Sequence, residues 1–324
     1  MEKEKVLGGE IEEFIASITL GEAKNVKNLS IFPVFSERIA DDGYMLLEEA
    51  LQTNKVFVEE VSDGGNVPEV LVKNELTDTD LLLLQGDILS GAKQTRTITA
   101  SIVVPRMHSL KVNVSCVESG RWRYTSKNFS SSKHYLYASL RKKSSSDVNR
   151  NLRASKGSSY EGDQSSVWED IREKASRLKS ESSTESIEDI YASYEEEVKD
   201  YESSLKALPG QIGYVTAING KMIGFEVFGS RSILPKVYGK LLKGYILDAI
   251  DVERTEKQKG QSPKGHSLKG TSGARKFIEK TTTMRQEKYK SQGAGEEIRL
   301  ENKDATGFAL VSDEKKLVHM AVFA

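Results

Sequence analysis

Apolar residues recur along this chain with two different periods, and the change of period divides it. Ile11, Phe14, Ile15 and Ile18 return at helical spacing and predict a short helix over residues 9–20. From Leu29 to Val114 the texture becomes strand-like. LSIFPVF, KVFVEEV, PEVLVKN, DLLLLQG and TITASIVVP are short β-branched or apolar runs, separated by Asp-Gly, Gly-Gly and other turn signals. LLEEAL at 46–51 interrupts them with a brief helix.

After Trp122 the pattern fades. Residues 123–165 are rich in Ser, Lys, Arg and Gly with little periodicity, which predicts a loop. Trp168, Ile171 and Ala175 then share one helical face. Ile187, Ile190, Tyr191, Tyr194, Val198, Tyr201 and Leu205 keep the spacing of a second amphipathic helix, stopped by Pro209-Gly210. GYVTAI and KMIGFEVF flank Asn219-Gly220, the favoured two-residue hairpin turn. A helix over 232–252, a polar Gly/Lys/Ser linker over 254–273, a helix near 274–290 and a closing strand pair, GFALVS and KLVHMAVF, complete the pattern.

Strands, then helices, then a hairpin and helix predict an α+β fold rather than βαβ alternation. Its parts are a mainly antiparallel β N-terminal region, a helical middle segment and a hairpin–helix–strand C-terminal region. Segment bounds read from the pattern are 1–125 (β-rich with a short N-terminal helix), 126–165 (basic Ser-rich loop), 166–207 (acidic helical) and 208–324 (α+β). They are compatible with one compact domain overall.

Charge narrows the function classes. The net charge is −1, so no global field draws the chain to nucleic acid or a membrane surface. Locally the balance is uneven. Residues 121–156 hold ten Lys/Arg against one acidic residue, Asp147, whereas 185–202 holds eight Asp/Glu against Lys199. No run approaches the roughly 18 apolar residues of a membrane helix. The single cysteine, Cys116, and the charged start at 1–13 lead us to expect a cytoplasmic protein without disulfides. His108, His134, His266 and His319 lack metal-ligand spacing, so no zinc site is expected, while a hard cation held by distant carboxylates stays open. Nothing in the pattern specifies a cofactor or an oligomeric state. Phosphate loops, dinucleotide fingerprints and nucleophile elbows are absent from the sequence.

Three constellations could carry chemistry. GDILSGAKQTR, 86–96, places Gly91, Lys93, Gln94 and Arg96 between two β runs, where glycine admits a close approach and the cations suit an anion; the plain alternative is a polar turn. VSCVESGRW, 114–122, gathers Cys116, Glu118, Arg121 and Trp122. Glu118 is a candidate acid or base and Cys116 a candidate nucleophile; the alternatives are a Glu118–Arg121 structural ion pair and a small buried thiol. The basic stretch 121–156 interleaves Trp122, Tyr124, Phe129, Tyr135 and Tyr137. Such a pattern can grip single-stranded nucleic acid, or dock on the acidic 185–202 segment instead. His319, inside an apolar strand, is either a site residue or a satisfied core histidine.

These strings resemble a prokaryotic domain family named for its association with ADP-ribosylglycohydrolases and rhodanese-like phosphatases. The resemblance rests on LSIFPVF, LEEAL, VPEVLVKN, LLLLQGDILSGAKQTR, VSCVESGRW, VWEDI, QIGYVTAINGKMIGFEVFGS, LLKGYILDAI, GAGEEIR and KLVHMAVF, in order over nearly the whole chain. Thr95 stands where Asn is expected, and the 254–273 linker is long and basic. The resemblance implies that 121–210 belongs to the domain. It also implies a setting of ADP-ribose or NAD-derived nucleotide metabolism, in stress or conflict systems, and supplies no mechanism.

The leading expectation is therefore binding or processing of a small anionic, nucleotide-like ligand. Lys93, Gln94, Arg96 and Arg121 would hold phosphate or ribose, Trp122 would stack the base and Glu118 would serve as the polar or acid/base group. A non-catalytic interaction module and a single-stranded nucleic-acid binder are the alternatives. The leading reading requires the 86–96 and 114–122 segments to converge on one hollow.

Overall fold

The computed structural model describes residues 9–39, 43–62, 68–260 and 267–324. Helix α1 (Gly9–Ala16) buries Ile11, Phe14 and Ile15, the predicted stripe. Short strands β1 (Thr19–Leu20) and β2 (Lys24–Val26) precede β3 (Leu29–Phe35), buried on both faces. β4 (Met45–Leu46) runs directly into α2 (Leu47–Gln52). Then come β5 (Val56–Glu60), β6 (Glu69–Asn74), β7 (Leu81–Leu83), β8 (Asp87–Gly91), β9 (Arg96–Ile98), β10 (Ile102–Val104) and β11 (His108–Cys116). TITASIVVP is two strands rather than one, because a bend at Thr99–Ala100 carries the chain from one sheet to another. The glycine turn signals at 63–65 lie outside the described residues.

The expected loop over 126–165 is corrected. It contains β12 (Phe129–Tyr135) and the 17-residue helix α3 (Ala138–Ala154). The inward stripe of α3 is Arg141, Ser144/Ser145, Val148 and Leu152, which is helical spacing with polar side chains in core positions. An apolar periodicity test misses such a helix, because its buried face is matched by hydrogen bonds instead of by hydrocarbon. Asp163 caps α4 (Gln164–Leu178) by accepting from the Ser166 N–H.

The acidic helix is also divided. α5 (Ile187–Ser193) and α6 (Glu195–Glu202) meet at Tyr194 (φ −119°, ψ 13°), whose hydroxyl donates to the Leu178 carbonyl. The apolar stripe survives the break. β13 (Gly213–Ile218) and β14 (Lys221–Phe228) form the predicted hairpin, with positive φ at Asn219 (49°) and Gly220 (76°) as the tight turn requires. α7 (Leu234–Gln258) extends into the expected linker, of which 261–266 lies outside the described residues. The helix predicted near 274–290 is the shorter α8 (Ser272–Thr281), and residues 285–290 pair instead as β15 (Arg285–Lys290). β16 (Glu296–Glu301), β17 (Thr306–Val311) and β18 (Leu317–Phe323) follow.

The strands form three sheets. Nine belong to a sheet ordered β1-β3-β13-β14-β18-β17-β16-β15, with β2 also on β3; every pairing in it is antiparallel. Its alternating side chains feed two cores. Phe32, Val34, Phe225, Val227, Met320 and Val322 pack with α1 and α8. Ile31, Tyr214, Phe228 and Val318 pack in a second core with Leu241, Tyr245 and Ile246 of α7. A six-stranded antiparallel sheet, β12-β8-β9-β11-β6-β5, encloses a third core of Val58, Val72, Leu89, Ile98, Val112 and Phe129 with α2. The three-stranded sheet β10-β7-β4 contributes to that core and contains the one parallel strand pairing among the described residues, β4 on β7. No helix among the described residues is long and apolar enough to cross a membrane.

Beneath α3 the core is ionic. Arg141 donates from Nη1 (2.9 Å) and Nη2 (2.6 Å) to the two oxygens of Glu226, and from Nε to Gln85 Oε1 (3.0 Å); all are buried. His319 bonds Glu226 Oε1 through Nε2 (3.0 Å) and Ser101 Oγ through Nδ1 (2.8 Å). Burial disfavours ionisation of Glu226, but the Arg141 fork outweighs it and holds the carboxyl far below its ordinary range. Burial pushes the His319 pKa down, so it is neutral, donating from Nε2 and accepting from Ser101. His319 is thus a satisfied core residue, stacked on Phe228 at 4.5 Å.

Candidate functional site

The antiparallel pairings of β9 decide where the chemistry meets. β9 pairs with β8 on one side and β11 on the other, so Arg96 lies opposite both Leu89 and Cys116. The 86–96 and 114–122 segments are therefore neighbours.

Arg121 acts as a staple. Its Nε bonds both Glu118 oxygens (2.9 and 3.0 Å) and its Nη2 bonds Oε2 (2.7 Å). Nη1 donates to the carbonyls of Ala92 (2.9 Å) and Arg123 (3.0 Å), and Nη2 to that of Gly91 (3.3 Å). Glu118 accepts from the Thr95 N–H (3.0 Å) and hydroxyl (2.8 Å) as well. Burial raises the Glu118 pKa, yet bonds from Arg121 and Thr95 more than compensate and leave it below the usual value. An ionised carboxylate so fully engaged is a poor proton acceptor. It is a structural ion pair that fixes the turn after β8.

Gly91 serves the same turn. At φ +111°, a Cβ would stand 2.4 Å from Ser126 Oγ and 3.2 Å from the Asn128 carbonyl. The close approach glycine permits is therefore to the chain's own 126–128 segment. Ser126 Oγ accepts from the Ala92 N–H (3.0 Å), and Ala92 itself has φ +42°.

Arg96 is wholly buried, with Nη1 on Cys116 Sγ (2.9 Å) and Nη2 on the Glu60 carboxylate (3.3 and 3.4 Å). Burial pushes the Cys116 thiol up to about 11, the Arg96 charge only partly opposing it. A protonated, enclosed thiol is no nucleophile. Gln94 is also buried. Arg96, Arg121 and Glu118 are thus engaged by groups of the chain itself, and Gln94 and Cys116 are buried beside them.

What this scaffold presents outward is an aromatic rim. Trp122 and Tyr124 keep 50% and 49% of their surface exposed, and are two of the four large hydrophobic side chains exposed among the described residues. The Lys93 ammonium sits 5.3 Å from the Trp122 ring centroid and 5.1 Å from that of Tyr124. The buried Arg96 guanidinium lies 5.8 Å from the Trp122 ring. Beside them opens a cleft of about 630 Å³, lined by Glu59, Glu60, Val61, Ser62 and the run Tyr124–Lys127. Glu60 is engaged by Arg96 and Glu59 by Lys73 (2.7 Å). Lys93, Arg123 and Lys127 are the cationic chains this segment brings to the rim. Tyr124 and Lys127 were legible only as members of the aromatic, basic stretch; Glu60 carried no signal, since it reaches Arg96 from β5.

Other predicted elements lie elsewhere. His319 belongs to the buried network under α3. Several charges of the basic stretch are paired within the chain: Arg141 on Glu226, Arg150 on Asp147 and Asp163, Arg153 on Glu287 and Glu301, and Lys143 on Asp170. The docking partner anticipated for it, the acidic 185–202 segment, meets it in a different way. His134 bonds Glu188 (2.7 Å) and stacks on Tyr191 at 4.2 Å. Among the described residues no cluster of three or more His, Cys, Asp or Glu side chains could hold a metal ion.

The family model of the ARG and Rhodanese-Phosphatase-superfamily-associated Protein domain matches residues 17–323, and the chain belongs to that family. No curated protein and no solved structure matches it.

Proposed function

We propose that this domain binds a small anionic, nucleotide-like ligand in the cleft between β5 and the 122–127 segment. A planar base stacks on the exposed faces of Trp122 and Tyr124, and Lys93 and Lys127 neutralise its phosphate. Ser62 offers a hydroxyl to the ribose or the base edge. Arg121, Glu118, Arg96 and Gly91 support the site from behind and touch no ligand. The observation that carries this reading is the pair of half-exposed aromatic rings flanking one ammonium beside a cleft large enough for a nucleotide. The family's name, which refers to partners of ADP-ribosylglycohydrolases, agrees with a nucleotide of the ADP-ribose or NAD-derived kind.

The geometry favours binding over processing, because the acid/base and nucleophile candidates are enclosed in private pairs. Isothermal titration of the full chain with ADP and ADP-ribose tests the proposal. Trp122→Ala and Tyr124→Ala should each weaken binding ~5–150-fold, the ~1–3 kcal/mol of one base–aromatic stack. Both rings are half-exposed, so thermal stability should fall only slightly. Undetectable binding to the parent chain, or unchanged affinity in both variants, would overturn the assignment.

A further inference from the structure

The cleft does not end at Lys127. The next residues of the same wall, Asn128–Ser131, line a second cavity of about 360 Å³, whose opposite wall is Val56 and Phe57 of β5, closed off by Leu51, Gln52 and Asn54. Both cavities thus have β5 on one side and the 124–131 run on the other. β5 and β12 are the two edge strands of the six-stranded sheet, and they face each other without pairing. Along β5, Phe57 and Glu60 are three residues apart, about 10 Å of strand. The two cavities therefore lie one after the other along the seam between β5 and the 124–131 run.

The chemistry along the seam is ordered. Trp122 and Tyr124 offer aromatic faces, and Lys127 offers a positive charge. Then Asn128, Ser130, Gln52 and Asn54 offer neutral donors and acceptors, with the Glu48 carboxylate beside them. The cation at the far end is already matched: Lys240 Nζ lies 2.5 Å from Glu48 and 3.2 Å from Ser131 Oγ. Two rings line this cavity, Phe57 half-buried on β5 and Phe129 buried, and neither stands out from the surface as Trp122 and Tyr124 do. At the junction, the buried Oδ1 of Asn128 has no hydrogen-bond partner among the described residues.

We infer that the ligand is two-headed, a base joined through phosphate to a sugar-like polyol, and that the polyol occupies the Gln52/Asn128/Ser130 cavity. This rests on the nucleotide-binding reading and adds the second head. A hydroxyl group supplies the donor that Asn128 Oδ1 lacks, and neutral amides and hydroxyls suit a polyol better than a second phosphate.

The test is calorimetric titration of the full chain and of Asn128→Ala and Gln52→Ala with ADP, ADP-ribose and the dinucleotide pApA. ADP-ribose should bind the parent chain at least about tenfold more tightly than ADP. Both variants should lose that advantage while binding ADP as the parent does. If ADP and ADP-ribose bind equally, the second head is wrong and the base site stands. If pApA gains the advantage and ADP-ribose does not, the cavity takes a base and the polyol assignment is overturned. If neither ADP nor ADP-ribose binds, the nucleotide reading and this inference fall together.

Discussion

Replacing Arg121 with alanine separates a scaffold from a ligand contact. The side chains of Arg121 and Glu118 are 11% and 7% exposed, so the pair is largely out of solvent. Truncation removes three bonds to the carboxylate and one each to the Gly91, Ala92 and Arg123 carbonyls. Breaking one partner of a buried pair costs about 3–5 kcal/mol; the two Thr95 bonds that remain on Glu118 place the expected loss near the lower end, about 3 kcal/mol. Urea denaturation followed by fluorescence measures it.

The pH dependence gives a second, independent readout. The Glu118 pKa is lower in the folded chain than in the unfolded chain. Its contribution is therefore present above the ordinary carboxylate value and lost as pH falls through the folded value. The gap between parent and variant should be widest near neutrality and should shrink below about pH 4. Arg121→Lys should recover less than half of the loss, because an ammonium cannot fork to a carboxylate and two carbonyls. A loss under about 0.5 kcal/mol at pH 7, or a gap that widens in acid, would refute the staple.

Glu226→Gln should destabilise the chain by about 3–5 kcal/mol by leaving the Arg141 guanidinium buried without its counter-charge, and the double variant Arg141→Met/Glu226→Gln should be closer to the parent in denaturation midpoint. Cys116, buried and with its thiol pushed up to about 11, should resist a disulfide-exchange reagent in the native chain at pH 8 and react fully in urea; rapid native labelling would contradict the enclosed Arg96–Cys116 contact.

Alternation and turn chemistry carried much of the fold. The Asn219-Gly220 hairpin, the strand runs between Leu29 and Cys116 and the core stripe of α7 follow the periods read from the chain. α3 escaped because Arg141, Ser144, Ser145 and Asn149 occupy positions where a pattern search expects hydrocarbon. Asn149 and Ser145 instead meet the buried Arg299 guanidinium, Asn149 accepting from its Nε and Ser145 from its Nη2 (2.9 Å). The α5–α6 break escaped because Tyr194 keeps the apolar stripe while leaving helical geometry. At the site, sequence proximity singled out segments that the sheet brings together, but not which groups their side chains face. Residue types alone do not tell a guanidinium facing a ligand from one facing its own carbonyls; that depends on which strand supplies Glu60 and which turn approaches Gly91.

The order of strands in the large sheet also bears on how the chain is made. β3 must pair with β13, which follows it by about 180 residues. At ~5–20 residues per second on the ribosome, the Leu29–Phe35 strand waits on the order of 10–40 s for that partner. The six-stranded sheet draws its strands from Val56 to Tyr135 and becomes complete well before then. Nascent chains therefore pass through a stage in which the six-stranded sheet is assembled while the β13-facing edge of LSIFPVF stays uncovered. It is then an apolar edge open to chaperones or to neighbouring polypeptides on the same message.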